Sequence, residues 1–424
     1  METKRNASKL IALTTVLVPL LAACGSSDDG TAAGSSSTAA ASAAAATDCK
    51  TPAGPTVKVM ALLEEAKAFN VFQPSLRAGI DSKVKAINCA GGLGTAGSKV
   101  EVVSCVGNFD PNAVDACANQ AANDESIVAV AGGGVAEGTP GATFAKAGLT
   151  SIPQTAYASD LTGATTFAII PSGVQLGPGE PVMGCTLGYE KQSLLLIQNP
   201  AAAGVPDLDN AALKSYGCPD LLRTVQVPQT ATDLSSQLVA ASKDADAIVL
   251  AVGPAQAVAA FKAKQQLGIE VPFITNSGTM TADTIKAAGS AAEGVLVESQ
   301  AYLPADDSES TGAAQFRADM KANGTSDLVD GWAQGSWLTF DVLQAATKDV
   351  ATIDRASVLA AMSTFSGYDG GGQLPTIDFT KPVPNPDFPR LFNDQFSPAV
   401  IKDGKLVALE DGTIDKFVAI SKVD

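Results

Sequence analysis

Residues 99–132 read KVEVVSCVGNFDPNAVDACANQAANDESIVAVAG, and this stretch decides the fold. KVEVVSC is rich in β-branched residues and short enough for a strand. PNAVDACANQAAND starts on proline and spaces its apolar residues at helical intervals. SIVAVAG is an almost unbroken apolar run closed by glycine. A strand with no polar face must be covered on both sides, which is the condition of a parallel sheet flanked by helices. One strand–helix–strand unit of this kind predicts an α/β fold with crossover connections.

The pattern extends in both directions. TVKVMAL precedes it, and TSIP, TFAIIP, SLLLIQN, TVQVP, AIVLAVG, PFITNS and GVLVES follow as further predicted strands. Between them lie helical patterns such as ATDLSSQLVAASKD and PAQAVAAFKAKQQLG. The Gly/Pro-rich PSGVQLGPGEP at 171–181 falls midway between two strand sets and reads as a crossover loop between two lobes. A body of this size is too large for one ordinary core and also argues for two. Toward the end come two longer helical patterns, DLVDGWAQGSWLTFDVLQAATKD and DRASVLAAMSTF. The Gly/Pro-rich GYDGGGQLPTIDFTKPVPNPDFPR follows, then short strand-like DGKLVAL and KFVAIS.

The first 23 residues combine Lys4, Arg5 and Lys9 with an apolar run from Leu10 to Ala23. That run falls short of the roughly 20 residues needed to span a bilayer, and the pattern is that of a secretory signal. Leu21-Ala22-Ala23-Cys24 resembles the lipobox of bacterial lipoproteins, which implies cleavage before Cys24 and acylation of that residue. The alternative is an ordinary signal cut near Ala23, with Cys24 incidental. Residues 24–48 are nearly all Ser, Ala, Gly, Thr and Asp, too poor in apolar surface to offset the entropy of ordering, and are expected to be a flexible tether. The chain carries a formal charge of −16; without residues 1–23 it keeps 25 basic against 43 acidic groups, or −18. Such a surface repels nucleic acid and anionic headgroups, so nucleic-acid binding is excluded and attachment to a membrane must come from lipid.

Setting Cys24 aside leaves six cysteines, which an exported protein can oxidise. Cys49 precedes the first strand and Cys89 closes the first helix, so the two can meet at the bottom of a sheet. Cys105 ends the second strand and Cys117 lies early in the next helix, so they can meet at the top. Cys185 and Cys218 remain, each on or after a helix of the second lobe. Six cysteines allow fifteen connectivities, and one pair could instead stay reduced in a core.

There is no histidine in the chain. That removes Ser-His-Asp and Cys-His catalysis and His-ligated zinc. GLGTAG at 92–97 follows a helix and precedes a strand, the wrong order for a phosphate loop, and reads as a helix-ending turn. The adjacent acids Glu64-Glu65 and Asp306-Asp307 read as solvated loop residues. No enzyme, no metal and no cofactor is expected.

INCAGGLGTAGSKVEVVSC followed by FDPNAVDACANQAAND, then VPFITNSGTMTADTIKAAGSAAEGVLV, then RASVLAAMSTFSGYDGGGQLP, occur in an order and spacing that resemble one family. It is the branched-chain amino-acid-binding group of ABC-importer solute-binding proteins, of periplasmic binding protein type I fold. The resemblance covers most of residues 55–424. It implies two Rossmann-like lobes joined by three crossings near residues 172, 300 and 391. The first lobe would comprise 49–172 and 301–390, the second 173–300 and 391–424. It implies a ligand held between lobes at the carboxyl ends of the strands, by Phe72, Gly134, Ala136, Glu137, Thr155 and Tyr157 from one side and Asn199, Pro254, Asn276 and Ser277 from the other. Here the sequence departs from the family's amino-acid clamp. Gly134-Val135-Ala136-Glu137 offers no hydroxyl before Thr139, Ala156 stands where a second hydroxyl is usual, and Ser277 stands where the partner of a ligand ammonium is expected. Glu137 and Tyr157 have ordinary alternatives, a solvated acid and a packing ring. A buried ammonium without a carboxylate is costly, so the expected solute is small and polar or organic, amino-acid-like or amide-like, and not held by the usual α-amino-acid clamp. The expectation is a lipid-anchored, monomeric, extracytoplasmic receptor that delivers a small solute to the transmembrane subunits of an ABC permease. A clamshell sensor signalling to a membrane partner and a hydrolase on the same scaffold are the alternatives.

Overall fold

The computed structural model describes residues 49–64, 73–108, 110–134, 138–171, 176–199, 202–385, 388–420 and 422. Cys24, the signal and the tether lie outside them, as do Phe72, Ala136 and Glu137.

The first sheet is built from β1 (Thr56–Leu63), β2 (Lys99–Val106), β3 (Ile127–Ala131) and β4 (Thr150–Ile152), all parallel in the order β2-β1-β3-β4. Helices α1 (Gln73–Cys89), α2 (Pro111–Asn123) and α3 (Pro140–Lys146) connect them, and the short α4 (Ala158–Leu161) follows β4. Side chains of β1 alternate between two cores. Val57, Val59, Ala61 and Leu63 pack with α1 and with helices from later in the chain, while Met60 and Leu62 pack with α2 and Phe144. This two-sided burial is why the strand reads as apolar throughout. Each fully buried Leu or Val contributes about 1.5–3 kcal/mol of transfer free energy.

The second sheet follows α5 (Leu176–Thr186). It contains β5 (Gln192–Ile197), β6 (Arg223–Val227), β7 (Ala247–Ala251), β8 (Phe273–Asn276) and β9 (Leu296–Ser299), mutually parallel. Its connecting helices are α6 (Val205–Ser215), α7 (Ser235–Ser242), α8 (Pro254–Leu267) and α9 (Ala282–Ala288). The chain then returns to the first core through α10 (Thr311–Ala322), α11 (Gly331–Thr347) and α12 (Arg355–Thr364), with a small β10 (Ser366–Tyr368) and β11 (Ile377–Asp378) ladder. Finally β12 (Gln395–Lys402) crosses back and pairs antiparallel with β9. β13 (Lys405–Ala408) and β14 (Val418–Ala419) both pair with β12. The order is β13-β12-β9-β8-β7-β5-β6. Membership of the buried clusters changes between Ile170 and Val182, between Val297 and Ala301, and between Phe392 and Phe396.

Cys49–Cys89, Cys105–Cys117 and Cys185–Cys218 are disulfide-bonded, with Cα–Cα distances of 4.4, 5.7 and 6.3 Å. Each ties a strand region to its covering helix or one helix end to the next, so each removes freedom from the unfolded chain.

Three sequence readings need correction. PSGVQLGPGEP is not loop to its end, because Leu176 already opens α5 with Pro181 inside it. Its glycines serve packing: a Cβ on Gly179 would lie 3.0 Å from Glu298 Cγ, so the helix sits close on the sheet. TFAIIP forms only isolated bridges, Ser151 to Thr166 and Ala168 to Leu391. Glu64 is buried under Gly107 rather than solvated.

Candidate functional site

Parallel strands bring the loops that follow them to one edge. In the first half these loops leave β3 and β4. Gly133 and Gly134 pass so close to neighbouring backbone that a Cβ on either would strike the carbonyl of Leu62 or of Thr155. Gln154 N donates to Gly133 O at 2.7 Å, locking the two loops together. The Thr155 hydroxyl donates to Gln154 Oε1 at 2.6 Å, and both residues are buried. Ala156 is buried as well, and Tyr157 is half-buried at the start of α4. Asp160 accepts the Tyr157 N–H at 3.1 Å, and burial raises its carboxyl to about 7. Beneath these loops lies a void of only about 10 Å³, bordered by Gly133, Gly134, Pro153 and Asp160.

In the second half the corresponding loops leave β5, β7 and β8. Asn199 follows β5 and is exposed, while Pro254 is the first residue of α8. Thr279 ties the β8 loop to the β7 loop by donating its hydroxyl to Val252 O at 3.1 Å. Asn276 donates its amide to Glu180 Oε1 at 2.5 Å and accepts from Thr279 N at 3.0 Å. Its side chain therefore braces the loop. Ser277 is 1% exposed and packs on Gly331, where an added Cβ would come within 2.8 Å of the serine Cβ.

The structure sets Gly134 against Thr155 in the first half, with Tyr157 two residues on, and holds Asn276 and Ser277 in the β8 loop of the second, while Pro254 opens α8. Gln300 joins the two sets at a chain crossing. Its side-chain oxygen accepts from Gln154 Nε2 at 2.9 Å, and its N–H reaches Ser277 Oγ at 3.4 Å. The start of α11 adds a second seam. Asp330 Oδ1 caps its own helix through Ala333 N at 3.0 Å, and Oδ2 accepts Ala282 N of α9 at 3.0 Å. Trp332 Nε1 donates to Gly278 O at 3.1 Å.

Gln154, Gln300, Asp330 and Trp332 escaped the sequence reading. Asp330-Gly331 ahead of an apolar helical run is an N-cap signal and marks Asp330. Nothing local marks Gln154 or Gln300, whose partners lie 146 residues apart.

The electrostatics of the second half are unusual. Glu180, Asp209 and Glu298 are all buried. The Glu180 carboxyl is pushed well above its ordinary range, first by burial and then by the nearby charge of Glu298. Burial does the same to Glu298 and brings Asp209 to about 7. Neither carboxyl oxygen of Asp209 or of Glu298 has a hydrogen-bond partner among the described residues. No cluster of three or more His, Cys, Asp or Glu suited to a metal occurs among the described residues. Among them, too, no helix is long and apolar enough to cross a membrane. A separate open pocket of about 340 Å³, bordered by Thr186, Tyr216, Asp415 and Phe417, lies at the other end of the second sheet, where α5 and α6 finish.

A family model described as periplasmic binding protein matches residues 56–382. No curated protein matches the sequence. Among solved structures, a substrate-binding periplasmic protein from Ralstonia solanacearum is 20% identical with a TM-score of 0.66, over 84% of this chain and 100% of its own. A solute-binding protein of an ABC transporter from R. palustris, solved with benzoate, is 16% identical with a TM-score of 0.65, over 87% of this chain and 98% of its own. A branched-chain amino acid transporter substrate binding protein from Streptococcus pneumoniae, solved with isoleucine, is 16% identical with a TM-score of 0.64, over 83% and 98%. At these identities the likeness speaks for the fold alone.

Proposed function

The chain belongs to the periplasmic binding protein family, and from that premise we propose that it is the extracytoplasmic solute receptor of an ABC importer. Residues 49–172 with 301–390 form one lobe, and 173–300 with 391–424 the other. The solute is caught between them by hinge closure and handed to the permease. The observation that carries this reading is the convergence of strand-end loops from two separate sheets, Gln154-Thr155 from one and Asn276-Ser277 from the other, at the crossing residue Gln300. Ligands of open α/β sheets bind at such ends. Closure is driven only by contacts the solute makes better in the closed form.

The solute is a small polar or organic compound, not one held by the usual α-amino-acid clamp. Neither Asn276 nor Ser277 carries a carboxylate for a ligand ammonium, and the Asn276 amide is already taken up by Glu180 while Ser277 packs on Gly331. Solved proteins of the same fold carry solutes as different as benzoate and isoleucine. The ligand contacts are Gly134, Thr155, Tyr157, Asn199 and Pro254 with Asn276 and Ser277, together with Phe72, Ala136 and Glu137. Lipid on Cys24 holds the protein at the outer face of the membrane, as a monomer. Native mass spectrometry of the mature chain tests the reading. A copurified small molecule that leaves on denaturation is expected. A folded chain that retains none and takes up none from a panel of amides, nucleosides and aromatic acids would refute it. Cys24→Ala is expected to release the protein from membranes, and continued attachment would refute the anchor.

A further inference from the structure

Three consecutive residues of α11's entry, Asp330-Gly331-Trp332, meet three points of the β8–α9 segment. The Asp330 carboxylate is wholly inaccessible to solvent and has one oxygen committed to each element: Oδ1 to Ala333 N and Oδ2 to Ala282 N, both at 3.0 Å. The Ser75 hydroxyl and the Trp332 N–H also bond it. The Trp332 indole donates across the seam to Gly278 O at 3.1 Å, and Gly331 has no side chain because Ser277 fills that space. Every one of these contacts is protein to protein. None needs a solute in place.

We propose that this seam is a latch that holds the two halves together in the empty receptor, with Asp330 and Trp332 as positioning residues. The inference rests on the hinge-closure reading above and adds regulation to it. Parting the halves would take the Ala282 N–H from a buried carboxylate and force the Asp330 oxygen, the indole N–H and the Gly278 carbonyl to find water. Exchanging these protein–protein bonds for bonds to water is a net loss, larger where one partner is a carboxylate, so the seam favours closure before any solute arrives. The empty form is then mainly closed, and a solute enters through the minor open population. The apparent affinity is reduced by that fraction.

The chain reports on its own latch. It has two tryptophans; Trp337 is 1% exposed in the first core, so collisional quenching by acrylamide reads Trp332. Ala282→Pro removes the one N–H that crosses from α9. It falls at the first position of that helix, which proline tolerates, behind Thr281 at φ −70° and ψ 162°, a conformation that proline accepts in its predecessor. Asp330→Asn keeps an oxygen to cap Ala333 N and sets an amide against the Ala282 N–H. On the mature chain without added solute, the wild type should show weak quenching. Both variants should show at least about a twofold larger quenching constant and a larger radius of gyration by small-angle scattering. Cooperative thermal melts establish that each variant is folded, and scattering of whichever variant folds decides the matter. Quenching and radius equal to wild type in a folded variant would overturn the latch and leave the seam as a fixed pivot. A wild type already fully quenched would overturn it too. Because no solute is used, a chain that closes empty but binds nothing keeps the latch and loses the receptor reading.

Discussion

The two halves share one plan, a parallel sheet between helices, and differ in what lies beneath the strand ends. In the first half the loops after β3 and β4 are tied by neutral groups, Gln154 and Thr155, and the one buried acid there, Asp160, accepts a backbone N–H from Tyr157. In the second half three buried carboxyls, Glu180, Asp209 and Glu298, share the interior, and only Glu180 is bonded, to Asn276, among the described residues. Identical topology therefore supports two electrostatic designs. Asp160, Asp319 and Asp330, buried in the first half, accept hydrogen bonds, whereas Asp209 and Glu298 of the second accept none among the described residues and burial favours their protonated form. Burial brings Asp160 of the first half and Asp209 of the second to about 7 alike, so each half should lose stability as pH rises toward 7.

The largest effect should come from breaking the first core. Trp337 is buried, stacks edge-on against Phe316 and donates to Asp319 Oδ2 at 2.9 Å. Trp337→Ala should cost about 3–5 kcal/mol, read by denaturant unfolding, and leave the second-half sheet protected in hydrogen exchange. A loss under about 1 kcal/mol would deny that this half rests on packing.

The second half should answer to protons. Asp209 titrates near 7 when folded and near 3.8 when unfolded, because burial penalises its charge. The folded state thus binds the extra proton between those values, and stability falls as pH rises from about 4 to about 7, then levels. Asp209→Asn should flatten this slope and raise stability at pH 8 by up to about 4 kcal/mol, measured as melting temperature against pH. A variant slope equal to wild type would remove Asp209 from the account.

Disulfide loss should be next. Cys185→Ala with Cys218→Ala opens a link spanning 33 residues and should cost about 2–4 kcal/mol in the second half by denaturant titration. The smallest effect falls on a helix cap. Thr281 accepts Thr284 N at 3.1 Å, and Thr281→Ala should cost about 1 kcal/mol while sparing the first core.

The strand–helix alternation was readable because double-sided burial leaves a local trace. All five residues of β3, IVAVA, are buried, and the run carries no polar position. The α5 start was misread for the opposite reason. Gly and Pro normally punctuate, but here Gly179 and Gly184 let a helix lie on Glu298 and Gln192, a tertiary fact invisible locally. The site divides in the same way. Gly134, Thr155 and Ser277 come from the family resemblance, and each stands in a loop just after a strand. The burial of Ser277 depends on Gly331, 54 positions later, and the brace between Asn276 and Glu180 on a partner 96 residues away. Contacts of that span are set by the fold, and no pattern in a window of sequence carries them.

We propose that the loops of the two halves close on a small solute, and a thermal shift reads that binding. The mature chain is melted alone and with amides, polyamines, nucleosides, aromatic acids and branched-chain amino acids, each in excess. A solute at about 100 times its dissociation constant should add ~2.7 kcal/mol of stability. Such a shift is expected with an amide, neutral polar or aromatic organic compound, and little with leucine, isoleucine or valine. A strong shift with those three amino acids would contradict the reading of Asn276 and Ser277. A well-folded chain shifted by no class would contradict the receptor itself.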